Sequence, residues 1–400
     1  MWIERVLAPE LRRLVAAFPA VALTGPRQIG KTALLEHDFA DWRYVSLDTP
    51  SLAEMAETRP HEFLARYPPP LVIDEAQYAP SLFRALKVAI DARRGERGLF
   101  LITGSQSYAL MQSLADSLAG RIAVIPFQSL SAEEWRNSPA AADRPWTAFW
   151  LTGGFPALWS TPNLPVQRWY QGYLATYLER DLRNQLRVAS LRDFERFLRA
   201  CAARCAQMLN MAELGRDVGI SASTAREWIN ALVASNQIVL LEPYHRSLGK
   251  RLVKSPKLYF ADTGLAAFLM GLNPEIPPPE ALVGPLWENH VVAQWLRWRD
   301  WLHPEAALWY WRDAGGNEVD LLIEWQSRLY AVECKYKERP EERDLRGIRR
   351  LRAFYDDPAL TGFVACTSPQ PFEIAEGIVA CSGWTTWPLN EAPMEPRPAA

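Results

Sequence analysis

The pattern G-x-x-x-x-G-K-[ST], typical of a loop that binds phosphate, begins at Gly25. Its glycines let successive backbone N–H groups turn inward around the phosphate oxygens, and the helix that follows adds partial positive charge at its N-terminus. Lys31 can reach the β- and γ-phosphates, and the hydroxyl of Thr32 can hold Mg²⁺. An apolar run before the loop (Val21–Leu23) and a helical pattern after it supply the context that the motif requires. The sequence therefore predicts a site for a nucleoside triphosphate.

Two acids extend this site. Asp74 and Glu75 follow the apolar run Leu71–Ile73, and the carboxyl end of a buried strand is where open α/β sheets bind ligands. Asp74 is predicted to hold Mg²⁺, directly or through water, and Glu75 to orient and polarise the attacking water. A degenerate site that binds nucleotide without hydrolysing it is the alternative, although both acids are present. The predicted nucleotide-binding residues are Gly25, Pro26, Arg27, Gln28, Ile29, Gly30, Lys31, Thr32 and Asp74.

Short apolar runs recur through the first part of the chain and alternate with helical patterns. They read AVALTG, RYVSLD, PLVIDEAQ, GLFLITGS and RIAVIPF. Buried parallel strands have this composition, and the alternation of strands with helices is typical of doubly wound α/β sheets. The sequence thus predicts an α/β fold with a parallel sheet for the first domain.

The motifs GPRQIGKT, LVIDEAQ and FLITGSQS resemble those of prokaryotic AAA-type ATPases, which are P-loop NTPases. The resemblance implies that ATP is the nucleotide and Mg²⁺ its metal. In that family a polar residue ends the strand between the two motif strands and senses the γ-phosphate; Thr103 matches it, and Ser105 is the other candidate. Arg121, in the similar segment SLAGRIAVIPFQSLS, matches an arginine finger or an intramolecular sensor, with a surface ion pair as the alternative.

Length, charge and cysteines limit the class of protein. Four hundred residues favour two or three domains, and a net charge of −2 excludes a global basic field that would attract nucleic acid. The five cysteines show no metal spacing, which favours a reducing compartment. Charges interrupt the apolar N-terminus, unlike in a signal peptide, and no apolar run approaches the length that spans a membrane. We therefore expect a cytoplasmic protein without a membrane partner.

The middle of the chain contains a helix, a turn at Gly219, a helix from Ser221 to about Ser235 and the strand QIVLLEPY. A basic loop then leads into a second strand, and this order resembles a winged helix. The basic wing carries five cations without an intervening acid: Arg246, Lys250, Arg251, Lys254 and Lys257. Basic wings commonly contact phosphates, so DNA is a candidate partner through residues 245–257. A lid that contacts protein is the alternative.

The stretch EVDLLIEWQSRLYAVECKYK predicts a β-hairpin. With Gln326 and Ser327 as its turn, Asp320 faces Glu333, and Lys335 lies two residues further on the same face. Facing like charges destabilise a hairpin unless a cation lies between them. Carboxylate oxygens suit Mg²⁺ or Mn²⁺, so the hairpin predicts a divalent-metal site.

An Asp, then Glu-x-Lys on the next strand, after a helix that bears Glu288, resembles the restriction-endonuclease-like fold. The resemblance implies that Glu288, Asp320 and Glu333 bind the metal that generates and orients hydroxide. It also implies that Lys335 stabilises charge at the scissile phosphate, as a catalytic residue. The remaining acids of the hairpin, expected to face solvent or to support the ligands, are Glu318 and Glu324.

These features divide the chain into an AAA-type P-loop ATPase domain (1–137), a helical and winged-helix-like domain (138–273), a restriction-endonuclease-like α/β domain (285–387) and a disordered tail (388–400). The proline-rich residues 271–285 mark the last boundary. We expect an ATP-binding and ATP-hydrolysing ATPase coupled to a DNA-directed module with metal-dependent nuclease activity. The alternative is an ATP-gated switch that binds DNA or protein and has a catalytically inert C-terminal domain. A second copy of the chain, in a homo-oligomer, is a further candidate partner.

Overall fold

The computed structural model describes residues 1–104, 117–177, 191–245 and 255–389 of the chain. Three sheets organise these ranges, one of five strands, one of six and one of two. The predictions for Ser105, for four wing cations and for most of the tail concern residues outside the ranges. The four cations are Arg246, Lys250, Arg251 and Lys254.

A five-stranded parallel sheet forms the centre of the first third. Its strands are β1 (Ala20–Thr24), β2 (Arg43–Ser46), β3 (Leu71–Asp74), β4 (Phe100–Gly104) and β5 (Ile122–Pro126). Their order is β2-β3-β4-β1-β5, and every neighbouring pair is parallel. The predicted parallel α/β sheet is thus confirmed. Because β4 lies between β1 and β3, its end meets the ends of both motif strands.

Helices cover both faces of this sheet. They are α1 (Ala8–Ala17), α2 (Lys31–Asp38), α3 (Pro50–Thr58), α4 (Pro60–Arg66) and α5 (Leu82–Ala92). Side chains of α1 and α2 belong to the apolar cluster on one face, and those of α3, α4 and α5 to the cluster on the other. α5 buries Leu82, Leu86 and Ile90 at helical spacing. Burial on both faces explains why the strands are uninterrupted apolar runs.

The middle third is mainly helical. Its helices are α6 (Ala132–Arg136), α7 (Trp146–Thr152), α8 (Ala157–Ser160), α9 (Val166–Tyr177), α10 (Leu191–Ala202), α11 (Met211–Val218), α12 (Ala222–Ala234) and α13 (Thr263–Leu269). The antiparallel strands β6 (Ile238–Leu241) and β7 (Lys257–Phe260) lie between α12 and α13. The predicted turn between two helices is confirmed, since Gly219 follows α11 with φ 84°. The hydroxyl of Ser221 caps α12 by accepting a hydrogen bond from the N–H of Thr224 (3.0 Å).

A six-stranded mixed sheet forms the last third, in the order β12-β13-β11-β10-β9-β8. Its strands are β8 (Ala307–Arg312), β9 (Glu318–Trp325), β10 (Arg328–Cys334), β11 (Thr361–Cys366), β12 (Phe372–Ala375) and β13 (Ile378–Ser382). Helix α14 (Glu280–Leu302) precedes the sheet, and α15 (Arg346–Tyr355) lies between β10 and β11. The predicted domain start at residue 285 falls inside α14, because the chain stays helical through Pro285. A proline near a helix N-terminus removes one hydrogen bond, which a long helix tolerates.

The hairpin of β9 and β10 has the predicted register, with Trp325 paired to Arg328. Its turn residues, Gln326 (φ 50°) and Ser327 (φ 60°), are both left-handed, as a type I′ turn requires. A two-residue turn of this type matches the twist of the flanking strands. The register on which the facing acids depend is therefore confirmed.

One apolar core joins all three thirds of the chain. A single cluster of buried side chains extends from Ile3 to Leu389. α14 runs through it with Trp287 and Trp295 fully buried, and burial around the whole circumference is typical of a helix inside a protein core. None of the helices in the described ranges combines the length and the apolar character that crossing a bilayer requires.

Candidate functional site

The phosphate loop lies between β1 and α2, and its backbone depends on glycine. Gly25 has φ 154°, and a Cβ there would overlap the carbonyl oxygen of Phe127. Gln28 (φ 61°) and Gly30 (φ 92°) are also left-handed, and Gly30 is the N-cap of α2. Glycine adopts such conformations without steric cost, which explains the spacing of the motif. Because α2 starts at the loop, its partial positive charge favours an anion there.

The ammonium group of Lys31 lies over this loop. Its Nζ donates to the carbonyl oxygens of Gly25 (2.9 Å) and Pro26 (2.7 Å), and the residue is buried. A charged amine makes stronger hydrogen bonds to phosphate oxygens than to carbonyls. Lys31 is therefore placed to exchange these carbonyls for the oxygens of a bound nucleotide.

Asp74, at the end of β3, accepts hydrogen bonds from three hydroxyl groups. Thr32 Oγ1 donates to Oδ2 (3.2 Å), Tyr44 OH donates to the same oxygen (2.6 Å), and Thr103 Oγ1 donates to Oδ1. Tyr44 was not predicted; burial and the neighbouring Asp74 carboxylate raise its pKa above the ordinary value. A hydroxyl and a carboxylate oxygen are the hard ligands that Mg²⁺ prefers. The pair Thr32 and Asp74 therefore fits the predicted metal.

Glu75 and Thr103 meet beside this carboxylate. The N–H of Glu75 donates to Thr103 Oγ1 (3.4 Å), and Gln77 Nε2 donates to Glu75 Oε2. Glu75 is half-buried and has φ 56° in the turn that follows β3. Thr103 ends β4, the strand between the two motif strands, where the γ-phosphate sensor was expected. Gln77 was not predicted. The sequence feature that could have identified it is its position two residues after Glu75.

Arg121 lies away from these residues, at the amino end of β5. Its Nε and Nη2 donate to the two carboxylate oxygens of Asp91 at 2.7 and 3.1 Å. β5 runs parallel to β1, so Arg121 is at the opposite edge of the sheet from the phosphate loop. Five strand residues at roughly 3.3 Å each separate the two edges. The role of an intramolecular sensor is therefore wrong, and the surface ion pair is what the structure shows; a contact with a second copy stays a prediction.

A second group of charged residues lies between α14 and the C-terminal sheet. One carboxylate oxygen from each of Glu288, Glu318 and Asp320 lies within 4.8 Å of the others. We call these three residues the acidic cluster. Glu318 was expected outside it and is a member, because it follows the same alternation on β9 as Asp320. Glu324 is exposed, as expected.

Asp320, Glu333 and Lys335 share one face, as the register predicts. Lys335 Nζ donates to Glu333 Oε2 (3.0 Å) and lies 3.9 Å from Asp320 Oδ2. The N–H of Cys334 donates to the same Asp320 oxygen (2.8 Å). A groove of about 750 Å³ opens here and is lined in part by Glu288, Asp320 and Lys335. Solvent and ligands therefore reach one side of the acidic cluster.

Lys257, at the start of β7, is buried against the acidic cluster. Its Nζ donates to Glu288 Oε1 (2.7 Å), pairs with Glu318 Oε1 and lies 3.9 Å from Asp320 Oδ1. Only 2% of the residue is exposed. Tyr259, two residues further along β7, donates to the same Glu288 oxygen (2.6 Å). The prediction that Lys257 contacts DNA is therefore wrong, because its charge is buried and paired with carboxylates.

Burial and charge set the protonation of these groups. Burial raises the pKa of Glu288 to about 7, although Lys257 opposes the shift. Burial and the charge of Asp320 raise the pKa of Glu333 well above its ordinary value. For Lys257, burial favours the neutral amine, but the neighbouring carboxylates outweigh burial and raise its pKa. The carboxylates thus favour the charged form of the lysine, while burial opposes full ionisation of the acids around it.

Sequence profiles of three families match successive parts of the chain. The family described as AAA domain matches residues 17–136. Two domains of unknown function follow, DUF8612 over residues 144–276 and DUF4143 over residues 283–387. Among solved structures, the Walker-type ATPase paby2304 of Pyrococcus abyssi aligns with 67% of this chain and 96% of its own, with 18% identity and a TM-score of 0.45.

Two mycobacterial proteins are similar to the chain over most of its length. They are Uncharacterized protein Rv2008c of Mycobacterium tuberculosis and Uncharacterized protein Mb2031c of Mycobacterium bovis. Each is 34% identical over 350 residues, which cover 84% of this chain and 75% of the relative. The chain belongs to their family. Its residues 17–136 form an AAA-family, ATPase-like domain that contains the phosphate loop.

Helix α14 connects this AAA domain to the acidic cluster. Near its C-terminal end, Gln294 Oε1 accepts a hydrogen bond from the N–H of Ala132 (3.0 Å), and Trp301 Nε1 donates to the carbonyl oxygen of Pro126 (3.1 Å). Near its N-terminal end, the same helix carries Glu288. The segment that follows β5 is thus attached to the helix that bears an acid of the cluster.

Arg297 of α14 joins three regions of the chain. Its guanidinium donates to the carbonyl oxygen and the hydroxyl of Ser129 (3.1 and 2.8 Å) in the AAA domain. It also donates to the carbonyl oxygen of Ala261 (2.9 Å), which lies between β7 and α13. The Ser129 hydroxyl in turn donates to Asp262 (2.7 Å). Only 3% of Arg297 is exposed, so these groups are satisfied within the protein.

Arg5, near the N-terminus, forms a hydrogen bond to the backbone of the phosphate loop. Its guanidinium donates to the carbonyl oxygens of Ile29 (2.9 Å) and Gln128 (2.8 Å) and to the carboxylate of Glu134 (3.1 Å). The ring of Phe127 lies 4.0 Å from the guanidinium carbon. Arg5 was not predicted, because no motif at the N-terminus marks it.

Gly347 allows α15 to approach the charged residues of the hairpin. A Cβ at this position would overlap the carbonyl oxygen of Glu318 and Oε1 of Glu333. We expect Gly347→Ala to destabilise the protein by about 1–3 kcal/mol or more, because the helix or the strands must move apart. Gly172→Ala is the matched control; it lies in α9 with open space around it and should stabilise by about 0.5–1 kcal/mol. Urea unfolding of both variants tests this, and equal midpoints would contradict it.

Proposed function

We propose that the chain binds and hydrolyses ATP in its AAA domain. The observation that carries the proposal is the position of the Asp74 carboxylate, which meets the hydroxyls of Thr32 and Thr103 beside the loop that holds Lys31. The match to the AAA domain supports ATP as the nucleotide. All parts of a phosphoryl-transfer site are thereby present: a loop, a lysine, metal ligands and an acid for the water.

Each side chain has a separate role in this proposal. Lys31 and the loop N–H groups hold the β- and γ-phosphates, and Thr32 and Asp74 hold Mg²⁺, which would neutralise charge on the same phosphates. Glu75, held by Gln77, orients a water for attack on the γ-phosphorus and accepts its proton as the bond to ADP breaks. Thr103 is the sensor of the γ-phosphate.

The test is nucleotide binding and phosphate release by the purified chain. We expect Mg²⁺-dependent ATP hydrolysis that Lys31→Ala abolishes together with ATP binding. Lys87→Ala, at an exposed position of α5, is the control and should leave both unchanged. Hydrolysis that persists in Lys31→Ala, or that does not need a divalent metal, would contradict the proposal.

As a second candidate function, we propose that the C-terminal domain is a metal-dependent nuclease acting on DNA. The observation is that Glu288, Asp320 and Lys335 all line one open groove, with Glu333 hydrogen-bonded to Lys335. The acids would hold Mg²⁺ or Mn²⁺, which would supply Lewis-acid activation of water. Lys335 would stabilise the extra charge on the scissile phosphate.

The rival is an ATP-gated binding protein with an inert C-terminal domain, and the buried Lys257 ammonium favours it. Cleavage of single- and double-stranded DNA and RNA, in Mg²⁺ and in Mn²⁺, separates the two. A nuclease should lose cleavage in Lys335→Ala and keep it in Lys87→Ala. Absence of cleavage on every substrate, by the wild type and by Lys257→Met, leaves the binding protein. In either case DNA contact through residues 245–257 would rest on the wing without Lys257, and a cytoplasmic location remains a prediction.

A further inference from the structure

The acidic cluster already holds a cation, and the cation is part of the chain. Lys257 Nζ lies 2.7 Å from Glu288 Oε1 and 3.9 Å from Asp320 Oδ1, and it pairs with Glu318 as well. One ammonium group therefore contacts all three carboxylates that could bind a metal together. Its position is the one that an ion shared by the three residues would need.

Lys257 reaches the cluster from a different side than solvent does. The residue is 2% exposed and belongs to the two-stranded sheet of the middle third. The groove is lined by Glu288 and Asp320, and Lys257 is not among its lining residues. A metal ion would enter the cluster through the groove, whereas Lys257 extends into it from β7, whose backbone fixes the position of the lysine.

An ammonium and a divalent ion cannot share these oxygens. Mg²⁺ binds carboxylate oxygens at about 2.0–2.1 Å and demands near-ideal octahedral geometry. An Nζ within hydrogen-bond distance of the same oxygens would occupy part of that geometry and would repel the ion, since like charges a few ångström apart in a buried site interact strongly. Occupation by Lys257 and occupation by a metal are therefore alternatives.

We infer that Lys257 is an internal cation that keeps divalent metal out of the acidic cluster. The inference rests on the proposed metal-dependent function and names its regulation. β7 is held to α14 by Asn289, whose side chain accepts from the N–H of Phe260 (2.7 Å) and donates to its carbonyl oxygen (3.1 Å).

A titration with Mn²⁺ in a calorimeter tests the inference. We expect no binding at the cluster in the wild type at millimolar Mn²⁺. Lys257→Met should bind one Mn²⁺ per chain more than the wild type does, with an affinity at least tenfold above the limit that the wild-type titration sets. Adding Asp320→Asn to this variant should remove this additional binding. Lys337→Met is the matched control, because Lys337 pairs with Asp344 beside the cluster and contacts none of its three acids. It should behave like the wild type.

The same variants give the outcomes that overturn the inference. Equal Mn²⁺ binding in wild type and Lys257→Met would show that the lysine blocks nothing. A folded Lys257→Met that gains no binding would show that the cluster is not a metal site. If Lys257→Met does not fold, Lys257→Gln, whose neutral amide can still donate to the carboxylates, carries the comparison with the same two outcomes. A gain of Mn²⁺ without cleavage of any nucleic acid supports the inference and refutes only the nuclease.

Discussion

Glu75→Gln is expected to bind ATP as the wild type does and to hydrolyse it about 100-fold or more slowly. Amide and carboxylate have the same shape, but only the carboxylate accepts a proton from the attacking water, and general-base catalysis contributes about 10²–10⁴-fold. The contact of Gln77 with Glu75 fixes the orientation of this carboxylate in the wild type. Binding should survive, because the phosphates are held by Lys31 and the loop.

Two measurements separate these effects. Equilibrium binding of ATP measures how well the loop holds the phosphates. Single-turnover phosphate release measures the rate at which the water attacks. Glu96→Gln is the control, since Glu96 is exposed beyond the end of α5 and should leave both quantities unchanged. Wild-type turnover in Glu75→Gln would show that another group activates the water.

Arg297→Met is expected to lower the free energy of unfolding by about 3 kcal/mol or more. The change leaves the buried carbonyl oxygens of Ser129 and Ala261 without their donor, and each unsatisfied group costs about 1–3 kcal/mol. Burial lowers the pKa of Arg297. The guanidinium is held in place by hydrogen bonds to three regions of the chain. The loss should therefore appear as destabilisation of the whole protein.

Urea unfolding of Arg297→Met beside Arg299→Met provides the measurement. Arg299 is on the same helix, is partly exposed and pairs with the adjacent Asp300 at 2.6 Å. Asp300 keeps its hydrogen bond from Gln128 (2.8 Å) when Arg299 is replaced, so this replacement should cost less than Arg297→Met. Similar unfolding midpoints for the two variants would show that Arg297 is not the group that joins the three regions.

The sequence predicted the elements whose signals are local. Apolar runs that alternate with helical patterns indicated the parallel sheet, and a polar break at Gln326 and Ser327 indicated the turn of the hairpin. In both cases the deciding interactions lie within a few residues or follow the period of two along a strand. The positions of Asp320 and Lys335 on one face followed from that period together with the two-residue turn.

The missed residues depend on contacts between distant parts of the chain. The sequence does not distinguish Lys257 from the other basic residues of the wing. Only the packing of β7 against α14 shows that it is buried. Glu318 joins the cluster because Glu288 of α14 packs against β9, and the two residues are far apart in the sequence. Arg5 contacts Ile29 and Glu134 far along the sequence, and an isolated arginine gives no sign of such partners.

The shared core bears on how the chain folds while it is synthesised. Chains leave the ribosome at roughly 5–20 residues per second, N-terminal part first. The phosphate loop and its sheet emerge well before α14, yet Phe127 and Trp135 belong to the same apolar cluster as Trp295 and Trp301 of that helix. Until α14 arrives, those surfaces stay uncovered and Ser129 lacks the arginine that binds it. The nascent AAA domain therefore passes through a stage in which part of its apolar surface is exposed and prone to aggregate, and this stage lasts until residue 302 has left the ribosome.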